Sequence, residues 1–171
     1  VGETQIRVPK NHTGFLATMR AGYEGGARLA AIELTSEALS KGFAKAWPVT
    51  VAVFTNLTHD HLDRHKSPEH YLASKAQLFQ LVAKGGTVIL NAGDPASELL
   101  CEVVPAGTRV VTYAVASRGK PVLPVDVEAR VASTTKDGTR VVLDPSASKF
   151  SLPTTFTLNA FGDIYVENAV A

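Results

Sequence analysis

Cysteine is almost missing from this 171-residue chain: Cys101 stands alone, so no internal disulfide and no multi-cysteine zinc site can form. Cys101 lies in Glu98-Leu99-Leu100-Cys101-Glu102, an acidic and apolar run without the electropositive setting that a reactive thiolate needs, and it reads as a small buried apolar residue. An excess of either charge is lacking as well. Lys and Arg total 17 against 16 Asp and Glu, a formal net charge of +1, and the basic residues are scattered. That argues against nucleic acid as a partner, because binding its backbone needs a basic field. No apolar run approaches the roughly 20 residues needed to cross a bilayer, and the N-terminus lacks the basic, apolar and small-residue order of a signal peptide. A cytoplasmic protein that does not enter a membrane is expected. Internal repeats and low-complexity segments are also absent.

What is present suits one globular domain with a proper core, at 45% hydrophobic and 19% charged residues. The first residue is Val1 rather than Met, and Glu167-Asn168-Ala169-Val170-Ala171 reads as the opening turn of a helix. A piece of a longer protein is therefore expected.

Along the chain, Thr4 to Val8 is an extended patch, and Asn11 or Thr13 can cap a helix that carries Phe15, Leu16 and Met19 towards Gly22. Ala27 to Leu34 reads as a strand that ends near Glu33. Thr35 or Ser36 caps the next helix, and Trp47-Pro48 breaks the pattern before the apolar strand Val49 to Phe54. A polar loop follows with His59, Asp60, His61, Asp63 and His65. Ser67-Pro68-Glu69 then supplies an N-cap, a proline at the first helical position and an early acid. The spacing of Tyr71, Leu72, Lys75, Leu78 and Phe79 places Lys75 on or beside an apolar helix face.

Gly85-Gly86 turns the chain into a strand at Thr87 to Leu90, Asn91 to Pro95 forms a loop, and Pro95 to Cys101 is a short helix. Arg109 to Tyr113 is a further strand. Strands alternating with helices imply βαβ units and a mainly parallel sheet, making residues 1–119 an α/β core. Residues 120–158 change character: Val125 to Val131 alternates, Lys136-Asp137-Gly138 is hairpin turn chemistry, and the run around Arg140-Val141-Val142-Leu143 alternates again. A small antiparallel subsheet is expected there, with another strand within Phe150 to Leu158, and residues 159–171 begin a core helix.

The His and Asp cluster has three readings from its residues: a solvated loop that caps a helix, a zinc site, or a magnesium and phosphate site. Glu33 at one strand end and His61 after the next would meet at one rim if the strands are parallel neighbours, which favours a ligand site.

The segment VAVFTNLTHDHLDRHKSPEHYLASKAQLF resembles the signature of the Mur ligase central domain, closest to the branch that makes UDP-N-acetylmuramoyl-tripeptide. That pattern is TNL-x-x-DHLD-x-H followed by Y-x-x-AK-x-x-LF. Thr55, Asn56, Leu57, Asp60, His61, Leu62, Asp63, His65, Tyr71, Lys75, Leu78 and Phe79 match it. Ala31 to Ser36 resembles the family's E-x-S-S segment, Leu90 to Pro95 its N-x-D-D-P loop, and Gly162 to Ala171 its G-x-F-N-x-x-N-x-x-A helix. The same signature sets the chain apart from folylpolyglutamate and cyanophycin ligases, which share the fold.

The resemblance implies a P-loop-type α/β domain of an ATP-dependent amide ligase in cell-wall biosynthesis, in which ATP phosphorylates a carboxylate and an amino acid attacks the acyl phosphate. It implies magnesium held by Glu33, His61 and Lys75, the lysine as a carbamate. Asn168, Asn56 and Asp94 would bind the nucleotide, and Asn11, His12, Thr13, Thr35 and Ser36 the nucleotide-sugar peptide. The family's phosphate loop and C-terminal domain are not in these residues, so this piece alone is expected to be inactive and to work with those segments as a monomer. The sequence departs from the family at Glu37, Phe43, Gly93 and Tyr165, which points to an altered acceptor. The rival reading is a non-catalytic scaffold.

Overall fold

In the computed structural model, the described residues are 11–57, 67–144 and 150–171. They fall into two units, residues 1–34 and 35–171.

The first unit is built on helix α1, His12–Glu24, which starts where Asn11 accepts a hydrogen bond from the Gly14 amide at 2.9 Å. An exposed pair, Arg20 with Glu24 one turn on, closes its far end at 2.8 Å. The expected strand Ala27–Leu34 does not form. Its backbone takes no regular structure, and Leu29 is 93% exposed. A strand is stabilised by hydrogen bonds to a neighbour, and among the described residues this segment has no strand beside it, so its apolar side chains gain nothing from extension.

The second unit is organised around a six-stranded sheet in sequence order, comprising β1 Val51–Phe54, β2 Thr87–Asn91, β3 Arg109–Val115, β4 Val127–Thr135, β5 Gly138–Leu143 and β6 Thr155–Leu158. The first four strands pair in parallel, and the last three pair antiparallel. The antiparallel part expected within 120–158 is thus one edge of a continuous sheet, because β4 hydrogen-bonds β3 in parallel and β5 in the opposite sense. Gly138 opens β5 with φ at 129°, and a Cβ there would collide with the Leu158 carbonyl on β6, so only glycine lets the two strands approach.

Side-chain alternation sends the strands' apolar residues to two cores. On one face Ala52, Phe54, Val88 and Leu90 meet Ala76 and Phe79 of α4, Pro68–Gln80, and Ala96 and Leu100 of α5, Ala96–Glu102. On the other, Tyr113, Val115, Val127, Ala129, Val141 and Leu143 pack with Val166 of α6, Asp163–Val170. Two short helices, α2 at Ser36–Ser40 and α3 at Phe43–Ala46, precede β1, and α2 is capped by Thr35 as expected. Cys101 is partly buried at the margin of the first core.

Candidate functional site

Because β1, β2 and β3 are parallel, their C-terminal ends share one rim, the place where open α/β sheets gather ligands. Three chain exits meet there. Thr55-Asn56-Leu57 leaves β1, Asn91 ends β2 and leads into the loop to Pro95, and a 3-10 turn at Ala116–Arg118 leaves β3.

Helix α4 aims Lys75 at the first exit. Ser67 caps the helix by accepting from the His70 amide at 3.3 Å, and Pro68 stands in its first turn. Two turns in, half-buried Lys75 donates from Nζ to the Asn56 carbonyl at 3.3 Å. The same ammonium lies 5.1 Å from the Tyr71 ring centre and 5.9 Å from that of Phe54. Two aromatic faces and a carbonyl suit a cation, which explains how a lysine is tolerated against an apolar face.

The β2 exit is tied to the β1 exit by side chains acting on backbone. Asp94 accepts from the Leu57 amide at 2.7 Å with one oxygen, and from the Ala96 amide at 2.9 Å with the other, starting α5. Asn91 is buried and uses both ends of its amide. Its oxygen accepts from the Gly93 amide at 2.9 Å, and its nitrogen donates to the Thr55 carbonyl at 2.7 Å and to Glu167 Oε1 at 3.3 Å. These contacts hold the rim's backbone in place.

Glu167 extends the same network to α6 and to the β3 exit. Its side chain is only 4% exposed, and Oε1 also accepts from Arg118 Nε at 3.1 Å, an ion pair whose arginine is 43% exposed. Among the described residues the other oxygen, Oε2, has no partner, and neither has the buried hydroxyl of Tyr113. Burial, then the negative charges of Glu167 and Asp94, push the Tyr113 phenol well above its ordinary pKa. Ser117 Oγ donates to Asp163 at 2.7 Å, a second tie between the 3-10 turn and α6.

The residues expected at the site thus have different fates. Asn56, Lys75 and Asp94 converge on the β1 and β2 exits, and Asn168 lies exposed on α6 beside Glu167. Glu33 is exposed in the irregular part of the first unit, so the strand end that was expected to carry it is absent. Asn11 and Thr35 spend their side chains on helix caps, His12 and Thr13 are exposed at the start of α1, and Ser36 is buried. His61, like His59, Asp60, Asp63 and His65, lies outside the described residues.

Sequence reasoning missed Glu167, Arg118 and Tyr113. For Glu167 a signal existed: it sits next to Val166 on the stripe of α6 that also holds Val170, where a charge is out of place. Arg118, in an exposed turn, offered none.

Comparison with known proteins bears on the family and the fold. Residues 4–171 match the family model described as the Mur ligase middle domain. A UDP-N-acetylmuramyl-tripeptide synthetase of Roseiflexus sp. is 32% identical over 168 residues, covering 91% of this chain and 31% of that protein. A UDP-N-acetylmuramoyl-L-alanyl-D-glutamate--2,6-diaminopimelate ligase of Synechococcus elongatus is 38% identical over 103 residues, 60% of this chain and 20% of that one. The chain therefore spans a third or less of the length of these relatives. A crystal structure of MurF from Acinetobacter baumannii superposes with a TM-score of 0.57 at 18% identity, over 74% of this chain and 25% of that one, and shares its fold. With a parallel sheet whose rim gathers Asn56, Lys75 and Asp94, and a family match over nearly its whole length, this chain belongs to the Mur ligase middle domain family.

Proposed function

We propose that the chain is the nucleotide-handling domain of an ATP-dependent ligase that joins an amino acid to the carboxylate of a UDP-N-acetylmuramoyl-peptide-like acceptor in cell-wall biosynthesis. The observation that carries this reading is the rim, where Lys75, the β1 exit and the Asp94 loop are bound into one hydrogen-bonded unit. In the reaction, an acceptor carboxylate oxygen attacks the γ-phosphorus of ATP and ADP leaves. The amine of the amino acid then adds to the acyl phosphate, inorganic phosphate leaves with the C–O bond electrons, and the amine loses a proton. Such chemistry depends on positioning and charge neutralisation, which a preorganised rim supplies.

Asn168 is exposed and its carboxamide makes no hydrogen bond among the described residues, so it is free to read the edge of an adenine base. Asn56 would add a second polar side chain at the rim, while Asp94 acts by fixing the backbone that lines it. Asn11, His12, Thr13, Thr35 and Ser36 would serve the acceptor. Among the described residues no group of three or more His, Cys, Asp or Glu gathers. Magnesium would draw on Glu33, His61 and Lys75, the donors that the family signature implies. Two of these offer a carboxylate and an imidazole. The half-buried Lys75 amine, which reaches the Asn56 carbonyl, would become a third donor once carbon dioxide adds to it and a proton leaves, giving a carbamate oxygen suited to a hard cation. Magnesium, when bound, neutralises the phosphate charge.

The test uses the full-length protein. ATP hydrolysis should require the muramoyl-peptide acceptor, and should fall by orders of magnitude in Lys75→Ala, with partial return on adding short carboxylates. Hydrolysis indifferent to every acceptor of this class would remove the proposed activity, and full activity of Lys75→Ala would remove the carbamate.

A further inference from the structure

The Glu167–Arg118 pair is the strongest feature of the rim that the proposed chemistry leaves unused. Burying a carboxylate is costly, and removing its partner would cost more, so Arg118 is strongly held where Glu167 stands. Glu167 is held in turn by Asn91, whose amide also reaches the Thr55 carbonyl at the β1 exit. The result is a guanidinium fixed through Nε alone. Its two terminal nitrogens make no hydrogen bond among the described residues, and the side chain remains 43% exposed. It leaves β3 next to α6, one residue of which, Asn168, is exposed beside Glu167.

Two ligand chemistries suit an exposed guanidinium: an anion, or a flat aromatic ring stacked on its plane. The local charge decides between them. Glu167 neutralises Arg118 directly, and Asp163 adds a second carboxylate felt by the same guanidinium. A phosphate would therefore meet a neutralised cation with acids beside it. A neutral ring would meet a planar surface whose orientation is already set, at little entropic cost.

We propose that Arg118, oriented by Glu167, is a nucleobase-binding residue that stacks on the base whose edge Asn168 reads. This rests on the nucleotide reading given above. Arg118 touches the ligand and Glu167 is a positioning residue, and the pair, its carboxylate buried and its guanidinium exposed, gives the domain a stacking surface made from a salt bridge instead of an aromatic side chain.

The test measures binding of adenosine, ADP and inorganic tripolyphosphate to the full-length protein by titration calorimetry. Arg118→Ala and Arg118→Lys should each weaken adenosine and ADP on the order of fivefold and leave tripolyphosphate unchanged, because lysine keeps the charge and loses the plane. Arg118→Ala strands the Glu167 charge, so the double variant Arg118→Ala/Glu167→Gln repeats the measurement without a buried unpaired carboxylate. Glu167→Gln alone, which loosens the arginine without removing it, should give a smaller loss. Wild-type adenosine affinity in both Arg118 variants, or a loss confined to ADP and tripolyphosphate that lysine restores, would overturn the stacking role while leaving the nucleotide reading intact. A wild-type protein that binds neither adenosine nor ADP would overturn both.

Discussion

Tyr113 illustrates how much one buried atom can matter. Its ring belongs to the second core, and its hydroxyl is buried without a partner among the described residues. An unmet hydroxyl costs about 1–3 kcal/mol, so Tyr113→Phe should leave the domain as stable or more stable, by about 1 kcal/mol in chemical denaturation. The sign of its pH dependence follows from the raised phenol pKa. A group whose folded pKa exceeds its unfolded value contributes fully below the unfolded pKa, about 10 for tyrosine, and that contribution is lost as pH rises through the folded one. Stability of the parent should therefore fall above about pH 10 more steeply than that of Tyr113→Phe, and equal slopes for the two would contradict the burial argument. Lys75 is the other single residue on which much turns. Its nitrogen lies over two aromatic rings, whose electron-rich faces an anionic carbamate would meet unfavourably unless a cation holds it. Mass spectrometry of Lys75 under carbon dioxide should show the adduct only when magnesium is supplied.

Among the elements, α4 has two functions. Its apolar side buries Ala76 and Phe79 against β1 and β2, with Phe79 edge-on to Phe54 at 6.3 Å between ring centres. It also carries Tyr71 and Lys75, one turn apart, towards the rim. Phe79→Ala should cost about 3–5 kcal/mol, measured by urea unfolding, since a fully buried ring leaves a cavity. A loss under 1 kcal/mol would mean that α4 is held by something other than this core. The start of α4 was legible in Ser67-Pro68-Glu69, and its face in the spacing of Tyr71, Lys75, Leu78 and Phe79, because caps and helical periodicity act over a few residues. Asp94 was read as a nucleotide contact, and the fold gives both of its oxygens to backbone amides from two different segments, one of them far off in sequence. No local pattern announces a bond between residues 57 and 94.

For the whole molecule, magnesium binding is the property that tests the proposed donors Glu33, His61 and Lys75. Glu33→Gln and His61→Ala should each raise the magnesium concentration needed for half-maximal activity of the full-length enzyme by about tenfold, and an unchanged magnesium titration in both would exclude them as ligands. The sequence by itself determined the order of strands β1 to β6 and of helices α4 to α6, the hairpin at Lys136-Asp137, the cap at Ser67, those of α1 and α2 to within two candidates each, and membership of a ligase family through the TNL-x-x-DHLD-x-H signature. All of these are recorded in neighbouring residues. Ala27–Leu34 shows the limit of such reading, since an apolar run becomes a strand only where another strand supplies its hydrogen bonds. Tertiary structure alone decided that Asn91, Glu167 and Arg118, drawn from a strand end, a helix and a turn distant in sequence, form one network around a buried carboxylate. A carboxylate's partners are chosen by proximity in space and by the cost of burying charge, neither of which is written in its sequence neighbours.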